Sequence, residues 1–294
     1  MNVEFVHKLA LGTAQFGLDY GLNNTTGRPN DATVRAILQE AASQGVTLLD
    51  TAAAYGDSEA RLGHLLEASS GQFQLVTKLA AGSPAEVNLQ IQASLQRLHL
   101  KQVYGILFHS FDGLKQHPEA WSALVEARQA GLTTRIGVSL YHPVQARWLL
   151  DSGLNLTLVQ LPFNVLDQRF APLLAELRKR GIEVHARSAF LQGLLLRDLG
   201  SLPSFFEPLR PKLARLQALA REAGVPLPAL LLQFVAQTPA VDRVVIGVDS
   251  AENLRVNVAA RAYAEQAREL RPQLVRLAET DEQFILPYTW PPTR

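Results

Sequence analysis

Short runs of apolar, partly β-branched residues alternate along the chain with longer stretches in which apolar positions recur every three or four residues. The short runs are typical of buried strands and the longer stretches of amphipathic helices. The predicted strands span residues 8–11, 46–49, 74–78, 103–108, 134–139, 156–161, 183–187 and 243–248. The predicted helices span residues 31–44, 58–66, 84–98, 118–130, 143–150, 171–180, 209–223, 228–237 and 253–277, with an interruption of the last near Pro272. Prolines at helix starts and glycines after helix ends support these boundaries.

Strand and helix alternate eight times, as in parallel strands that are joined by crossover helices. In a chain of 294 residues without a linker-like stretch, this order predicts the α/β class and a (β/α)8 TIM barrel that forms a single domain over residues 1–294. A doubly wound sheet is the alternative, but the first strand-to-helix turn at residues 11–17 lacks the G-x-G-x-x-G pattern, and no P-loop is present. Residues 193–206 and the tail from residue 284 are expected to be irregular, with the tail lying over a surface or a site.

Composition and charge narrow the functions open to the chain. A formal net charge of +1 offers little attraction for nucleic acid or an anionic membrane, so we predict neither as a partner. Without cysteine there is no disulfide, no thiolate nucleophile and no cysteine metal site. The N-terminal residues lack a signal-peptide pattern, and no apolar run approaches the roughly 18 residues of a membrane span. We therefore expect a cytoplasmic protein that acts on a small molecule, and its oligomeric state stays open.

Polar residues follow the apolar strands at what would be one rim of the barrel. Asp50, Lys78 and His109 stand at the ends of the second, third and fourth strands, and Tyr55 lies in a loop of small residues just after Asp50. A lysine ammonium close to a phenol stabilises the phenolate, and a carboxylate beside the lysine keeps it charged. The phenol can then act as a general acid near neutral pH, and the histidine can donate to a substrate oxygen. Each residue alone also has a structural explanation, such as a solvated lysine or a core histidine.

At these four residues the sequence resembles the aldo-keto reductase superfamily. The sequence of its first loop is similar to that of bacterial members. Asp50, Tyr55, Lys78 and His109 match the Asp-Tyr-Lys-His tetrad of that family in order and strand position. The resemblance extends from residue 11 to residue 257. It implies a (β/α)8 barrel that reversibly reduces an aldehyde or ketone with NADPH or, less often, NADH. Tyr55 would protonate the carbonyl oxygen, Lys78 and Asp50 would tune the phenol, and His109 would orient the substrate.

The resemblance also implies a set of cofactor residues, some of which depart from the family pattern. Leu140 stands where the family has an asparagine, and Arg187 stands where a stacking aromatic residue is frequent; a planar guanidinium can also stack on the nicotinamide. Gly247 and Asn253 stand where many relatives have the basic pair that binds the 2′-phosphate. NADPH is therefore expected on the family resemblance alone, and NAD is not excluded. The expected cofactor-binding residues are Thr13, Asp50, Ser139, Gln160, Arg187, Ser188, Leu191, Gly193, Gly247, Val248, Asn253 and Asn257.

Two other functions are compatible with the same residues. The chain could be a regulatory subunit that binds nucleotide to sense redox state, or an aldolase in which Lys78 forms a Schiff base. No metal site is expected, because His64, His142 and His185 lack the spacing of ligands and are interpreted as structural. The substrate does not follow from the sequence, since specificity would lie in loops 14–29, 110–117 and 193–209 and in the tail. Four aromatic residues in or near these loops could shape the substrate pocket, but they are interpreted as packing residues, which is the commoner role of loop aromatics: Phe16, Tyr20, Tyr141 and Trp290.

Overall fold

Eight parallel strands close into a barrel in the computed structural model of the chain, which describes residues 3–19, 21, 27–66 and 72–291. The strands are Leu9–Gly12 (β1), Leu48–Asp50 (β2), Gln74–Leu79 (β3), Val103–Phe108 (β4), Thr133–Ser139 (β5), Leu158–Pro162 (β6), Glu183–Arg187 (β7) and Arg243–Gly247 (β8). They pair in chain order, and β8 pairs with β1 to close the ring. Because all pairs are parallel, the carboxyl ends of all eight strands lie at one rim. The predicted (β/α)8 barrel is confirmed, whereas its extent as one domain over residues 1–294 stays a prediction.

Helices surround the barrel and connect its strands. The α-helices of the described residues are Val3–Lys8 (α1), Ala14–Gly17 (α2), Asp31–Gln44 (α3), Ser58–Leu66 (α4), Pro84–Arg97 (α5), Phe111–Gln116 (α6), Ala120–Gln129 (α7), Pro143–Asp151 (α8), Ala171–Lys179 (α9), Arg210–Glu222 (α10), Leu227–Ala236 (α11), Ala251–Ala259 (α12), Ala264–Val275 (α13) and Glu282–Ile285 (α14). Short 3₁₀ turns are Leu191–Leu196, Leu199–Ser201, Ser204–Leu209, Ala260–Tyr263 and Pro287–Thr289. Within these described ranges no single helix has both the length and the apolar character to cross a membrane, although one bent pair, Ser204–Glu222 with Leu227–Ala236, meets both criteria together.

Local sequence signals explain where several helices begin and end. The side chain of Asn30 accepts a hydrogen bond of 2.9 Å from the backbone N–H of Thr33, and Gly45 ends the same helix with a φ of 84°. Ser83 and Glu86 form a reciprocal capping box at the start of α5. These boundaries agree closely with the prediction because they depend on residues within one helical turn.

The C-terminal helical region breaks at a different place from the predicted one. Pro272 lies inside α13 at an exposed position, where the backbone carbonyl that loses its partner can bind water instead. The break is the 3₁₀ turn Ala260–Tyr263, twelve residues earlier. There the amide of Gln233 on α11 donates to the carbonyl of Ala260 at 2.8 Å, which satisfies a carbonyl at the end of α12. The break thus coincides with a tertiary contact and not with the proline.

Other differences involve short elements. Helices α1, α6 and α14 have only six, six and four residues, so they are too short to show a helical period, and none was predicted. Residues 193–206, which were expected to be irregular, lie mostly in 3₁₀ turns, and the tail contains α14 and a further 3₁₀ turn. Tyr20, part of loop 14–29 and residues 292–294 of the tail lie outside the described residues.

The barrel encloses a small apolar core that is separate from the layer between the sheet and the helices. This inner core consists of Ala10, Leu48, Val76, Leu107 and Leu158, all fully buried. Side chains alternate between the two faces of a strand, so the residues two positions further along also point into the barrel. Four of those residues are Asp50, Lys78, His109 and Gln160. A polar layer therefore lies directly above the apolar core, at the rim formed by the carboxyl ends of the strands.

Candidate active site

A buried ion pair forms the base of the polar layer. Lys78 Nζ lies 2.5 Å from Asp50 Oδ1, and the side chains are 0% and 3% exposed. The same Nζ donates to the carbonyl of Thr51 at 2.9 Å. Burial alone lowers the pKa of Lys78, but the charges and hydrogen bonds of Asp50 and Tyr55 together outweigh that effect, so the pKa lies above its ordinary value. Lys78 is therefore a fixed ammonium ion at neutral pH.

The second carboxylate oxygen of Asp50 is bound by a residue that is distant in the sequence. Gln160 on β6 donates from Nε2 to Asp50 Oδ2 at 2.7 Å, across 110 positions of chain. Asp50 therefore accepts from an ammonium on one oxygen and an amide on the other, which compensates for its removal from water. Gln160 was expected to bind the nicotinamide carboxamide; the structure shows that one of its amide hydrogens already holds Asp50.

Tyr55 lies over the ion pair on the loop between β2 and α4. Its hydroxyl is 3.5 Å from Lys78 Nζ, and Nζ is 5.0 Å from the centroid of its ring. A separation of 3.5 Å is longer than a well-formed hydrogen bond, so the ammonium lies beside the phenol but is not tightly bonded to it. The ring of His109 packs edge-on against the ring of Tyr55, with centroids 5.6 Å apart. The four residues of the predicted tetrad therefore lie together.

Two glycines determine how closely the Tyr55 loop approaches the barrel. A Cβ atom on Gly17 would lie 1.8 Å from the carbonyl oxygen of Tyr55, and one on Gly56 would lie 2.4 Å from the carbonyl oxygen of Gly17. Gly56 also has a φ of 57°. Since real Cβ atoms never approach so closely, any side chain at either position would push Tyr55 away from Lys78. The close backbone contact at these glycines positions Tyr55, and it was not predicted from the sequence.

Ser58 holds the other side of the same loop. Its hydroxyl is fully buried and lies 3.0 Å from the carbonyl of Thr13, 2.9 Å from the hydroxyl of Thr13 and 3.2 Å from the hydroxyl of Thr51. From the sequence Ser58 was placed only at the start of a predicted helix. Its burial depends on the closing of β1 against β2, which no local pattern shows.

His109 is half-buried beside the ammonium of Lys78. Burial, the charge of Lys78 and the charge of Arg187 lower the pKa of His109 to about 4, although Asp50 acts in the opposite direction. The imidazole is therefore neutral at physiological pH, and it has one N–H donor and one acceptor nitrogen. A neutral imidazole can donate to a carbonyl oxygen without itself losing a proton.

The lowered pKa of His109 predicts a pH dependence of stability. A histidine in the unfolded chain binds a proton near pH 6.5, whereas folded His109 binds one only near pH 4. Its contribution to the free energy of unfolding should be fully present above pH 6.5 and be lost as the pH falls through about 4, with a size of roughly 2 to 3 kcal/mol. Urea unfolding at pH 7 and pH 4 should show this loss of unfolding free energy in the wild type. The loss should be smaller in His109→Gln. The control His64→Gln, which replaces an exposed histidine, should show the same loss as the wild type. Equal losses in all three proteins would contradict the assignment.

Arg187 closes the rim from the end of β7. Its guanidinium carbon lies 4.2 Å from the centroid of the Tyr141 ring, and its Nη2 donates to the carbonyl of Leu140 at 3.0 Å. Leu140 itself is buried, so it takes part through its backbone. Ser139 is paired in register with Gln160, which places these two predicted carboxamide-binding residues side by side. Tyr141, interpreted from the sequence as packing, contacts a candidate site residue directly.

A cleft of about 270 Å³ runs from this cluster across the ends of β7, β8 and β1. Its lining includes these predicted residues: Thr13, Asp50, Tyr55, Gln160, Arg187, Ser188, Gly193, Gly247, Asn253 and Asn257. Lys78, His109, Ser139, Leu191 and Val248 do not line it; Leu191 and Val248 are buried in the core, so only their backbone could contact a ligand. Sequence reasoning did not select further lining residues: Gln15, Ala189, Phe190, Gln192, Leu196, Pro228 and Val256.

The loop after β7 has an unusual backbone conformation. Ser188, Leu191 and Gln192 have φ values of 64°, 48° and 53°, followed by Gly193 at 95°. Non-glycine residues in this region cost of order 1 kcal/mol or more each, and such strain is concentrated at functional sites. The fully buried Asn164 stabilises the start of the loop, because its side chain donates to the carbonyl of Ser188 at 3.0 Å.

At its other end the cleft reaches the N-terminus of α12. Asp249 is exposed there and accepts a hydrogen bond of 3.1 Å from the side chain of Asn253. Arg255 lies two positions after Asn253, but its guanidinium pairs with Glu40 at 3.2 Å and with Glu252 on the helix surface. The described residues that line this end of the cleft thus include a carboxylate and no cation.

Two of the three histidines that were interpreted from the sequence as structural, His142 and His185, have side-chain partners. His142 Nε2 lies 2.9 Å from the hydroxyl of Tyr288, and His185 Nε2 lies 2.8 Å from Glu183 Oε1 at the opposite end of the barrel. Burial alone raises the pKa of Glu183, but the hydrogen bonds and charges of His185, Tyr104 and Arg135 together outweigh that effect and hold the pKa at about 2. In the part of the chain that the structure describes, no group of three or more His, Asp or Glu residues could hold a metal ion.

The shape and lining of the cleft fit a dinucleotide. The cluster around Tyr55 and Gln160 lies at one end, the strained glycine-containing turn at residues 188–193 lies in the middle, and the N-terminus of α12 lies at the other end. Turn amides and helix N-termini bind phosphate groups, and amide side chains bind a carboxamide. Gln160 would lie beside a nicotinamide, and residues 188–193 would contact a pyrophosphate.

Comparisons with known proteins identify a family that this chain matches over most of its length. A sequence model described as "Aldo/keto reductase family" matches residues 8–270. An aldo-keto reductase of Mycolicibacterium vanbaalenii is 34% identical over 184 residues, which are 58% of this chain and 63% of that relative. A D-threo-aldose 1-dehydrogenase of a Pseudomonas species is 26% identical over 88% of this chain and 95% of the relative. The holo form of an aldo-keto reductase from Bacillus halodurans has the same fold, with a TM-score of 0.72 at 21% identity over 94% of both chains.

Proposed function

The chain belongs to the aldo/keto reductase family, and we propose that it is an oxidoreductase that reversibly reduces the carbonyl group of an aldehyde or ketone with a nicotinamide dinucleotide. The observation that supports this most strongly is the cluster at the rim: the phenol of Tyr55 lies between the buried ammonium of Lys78 and the neutral imidazole of His109. That combination supplies a proton donor, a group that stabilises the donor after it has lost its proton, and a second donor for the substrate oxygen.

The mechanism follows from the protonation states in the cluster. When bound, the reduced nicotinamide supplies a hydride to the carbonyl carbon. Tyr55 donates its phenolic proton to the carbonyl oxygen, and the ammonium of Lys78 stabilises the phenolate that remains. His109 donates its N–H to the same oxygen and orients it. In the reverse direction the Tyr55 phenolate accepts the proton of the alcohol.

The alternative of a Schiff-base aldolase is not favoured by the state of Lys78. A lysine that attacks a carbonyl must lose its proton, which usually requires a lowered pKa. The pKa of Lys78 is instead raised by Asp50, and its side chain is fully buried. A redox-sensing subunit without turnover is supported by no observation in the described residues. The cytoplasmic location, the small-molecule substrate and the absence of nucleic-acid and membrane partners stay predictions.

NADPH was predicted from the family resemblance, but the lining of the cleft favours NADH. The carboxylate of Asp249 would repel the 2′-phosphate of NADPH, whereas it can accept a hydrogen bond from the 2′-hydroxyl of NADH. Arg255 cannot offset this repulsion while Glu40 and Glu252 bind its guanidinium. We therefore expect NADH to bind at least about tenfold more tightly than NADPH.

Titration of the purified protein with NADH and NADPH, followed by nicotinamide fluorescence, tests both proposals. Asp249→Asn should tighten NADPH binding by about tenfold and weaken NADH binding slightly. The exposed residue Asp151 does not line the cleft, so Asp151→Asn is the matched control and should change neither. Tighter binding of NADPH by the wild type would refute the preference for NADH. Failure to bind either nucleotide would refute the proposed function.

A further inference from the structure

Arg187 is a half-buried cation whose role the hydride transfer described above does not require. It is the last residue of β7 and lines the same cleft as Tyr55. Two of its N–H groups have chain partners: Nη2 donates to the carbonyl of Leu140, and Nη1 lies 3.4 Å from the hydroxyl of Ser188. A guanidinium has five N–H donors in one plane.

Apart from its contact with the Ser188 hydroxyl, the guanidinium extends toward the end of β5. The turn after β7 and the start of α12 form one side of the cleft, but Arg187 reaches across β6 to the end of β5, where it contacts Leu140 and Tyr141. His109 lies at the end of the neighbouring strand β4, and the charge of Arg187 is one of the causes that lower its pKa. Arg187 is therefore close to the place where a carbonyl oxygen would bind.

No carboxylate of the described residues lies within 4.0 Å of Arg187. Asp50 is occupied by Lys78 and Gln160. The two other acids of this region, Asp167 and Glu282, both pair with Arg169. A partly buried charge without a counterion is costly, and such a charge in a binding site is a site for an anion.

Tyr141 keeps the guanidinium in a fixed orientation. Its carbonyl accepts from Arg169 Nη2 at 3.1 Å, and its ring packs edge-on against Tyr288 of the tail at 5.1 Å. One face of the Arg187 guanidinium is thereby covered by an aromatic ring, while the remaining donors lie along its edge. Edge donors in a plane match the two oxygens of a carboxylate, which binds a guanidinium side by side.

We propose that Arg187 binds a carboxylate group of the substrate, so that the enzyme acts on carbonyl compounds that also carry a carboxylate, that is, on oxo acids. This inference rests on the proposed function, since it deepens the substrate class of the same site. It differs from the expectation that Arg187 stacks on the nicotinamide, because a stacking residue would affect nucleotide binding and not the choice between charged and neutral substrates.

Two aldehydes of nearly equal shape test the proposal. 4-Carboxybenzaldehyde carries a carboxylate, and 4-formylbenzamide carries a neutral amide in its place. The wild type should show a kcat/KM about 10- to 100-fold higher for the carboxylate, and high salt should reduce this ratio. Arg187→Met should bring the ratio to about 1, and Arg187→Lys should leave it in between, because lysine keeps the charge without the planar pair of donors. The surface variant Arg215→Met, which removes the same charge outside the cleft, should keep the wild-type ratio.

A binding measurement makes the result independent of turnover. Benzoate should bind the wild-type protein at least about tenfold more tightly than benzamide by calorimetry, and Arg187→Met should lose this difference. Equal binding of the two, or a preference that survives in Arg187→Met, would overturn the carboxylate proposal even if 4-formylbenzamide is reduced. Loss of nucleotide binding and of all reduction, together with a retained preference for benzoate, would instead refute the proposed function and leave the anion site standing.

Discussion

Replacing Tyr55 with phenylalanine should lower kcat/KM for aldehyde reduction by about 10³-fold, within the range that general acid catalysis contributes. The substitution removes one oxygen atom and leaves the ring that packs against His109, so the site should keep its shape. The remaining polar groups, Lys78 and His109, cannot take over the proton transfer: the ammonium is bound by Asp50 and Thr51, and the imidazole is a poor proton source when neutral. Steady-state kinetics and nucleotide fluorescence on the same samples would measure the effect.

The nucleotide should bind Tyr55→Phe about as tightly as the wild type, which separates lost chemistry from lost binding. Tyr263→Phe is a suitable control, because it makes the same change in a 3₁₀ turn outside the cleft and should leave kcat/KM unaltered. If Tyr55→Phe kept more than about one tenth of the wild-type activity, a different group would be the proton donor, and the assignment of Tyr55 would be wrong.

Replacing Lys78 with methionine should damage both stability and catalysis. Asp50 would remain buried with only the amide of Gln160 as its partner, and breaking a buried ion pair in this way costs about 3 to 5 kcal/mol. The phenolate of Tyr55 would also lose the charge that stabilises it, so kcat/KM should fall by about 10²- to 10³-fold or more. Urea unfolding and kinetics at pH 7 would measure the two losses.

The double variant Asp50→Asn with Lys78→Met separates these losses. With both charges removed, most of the lost unfolding free energy should return, because no unpaired charge stays buried, while the activity should remain low. As a control, Lys212→Met breaks a partly exposed pair with Glu279 at 2.9 Å and should cost about 1 kcal/mol or less. Recovery of activity in the double variant would show that Lys78 supports catalysis only by stabilising the fold and not by stabilising the phenolate of Tyr55.

Three residues of the tetrad could be predicted because two local rules place them. Side chains alternate along a strand, and parallel strands end at a common rim, so Asp50, Lys78 and His109 each stand two positions beyond an inward-facing apolar residue. The caps at Asn30 and Ser83 likewise act within one turn of helix. Such features depend on neighbours in the chain, which a sequence displays directly.

The break in the C-terminal helix could not be predicted in the same way. The proline rule pointed to Pro272, but an exposed helix tolerates that residue, and the break coincides instead with the contact of Gln233 with Ala260. Gln233 lies 27 positions away from its partner, so this contact forms only when α11 and α12 pack together.

By itself, the sequence determined the eight alternating strands and helices, the polar residues at the strand ends and the absence of cysteine chemistry. The tertiary structure alone decided how these groups act. Closure of the barrel brings Gln160 to Asp50, the contact between Gly17 and the Tyr55 loop brings the phenol over Lys78, and packing against Tyr141 orients the guanidinium of Arg187. The physical reason is that these contacts join residues far apart in the chain, whose distances are set by the packing of the whole barrel.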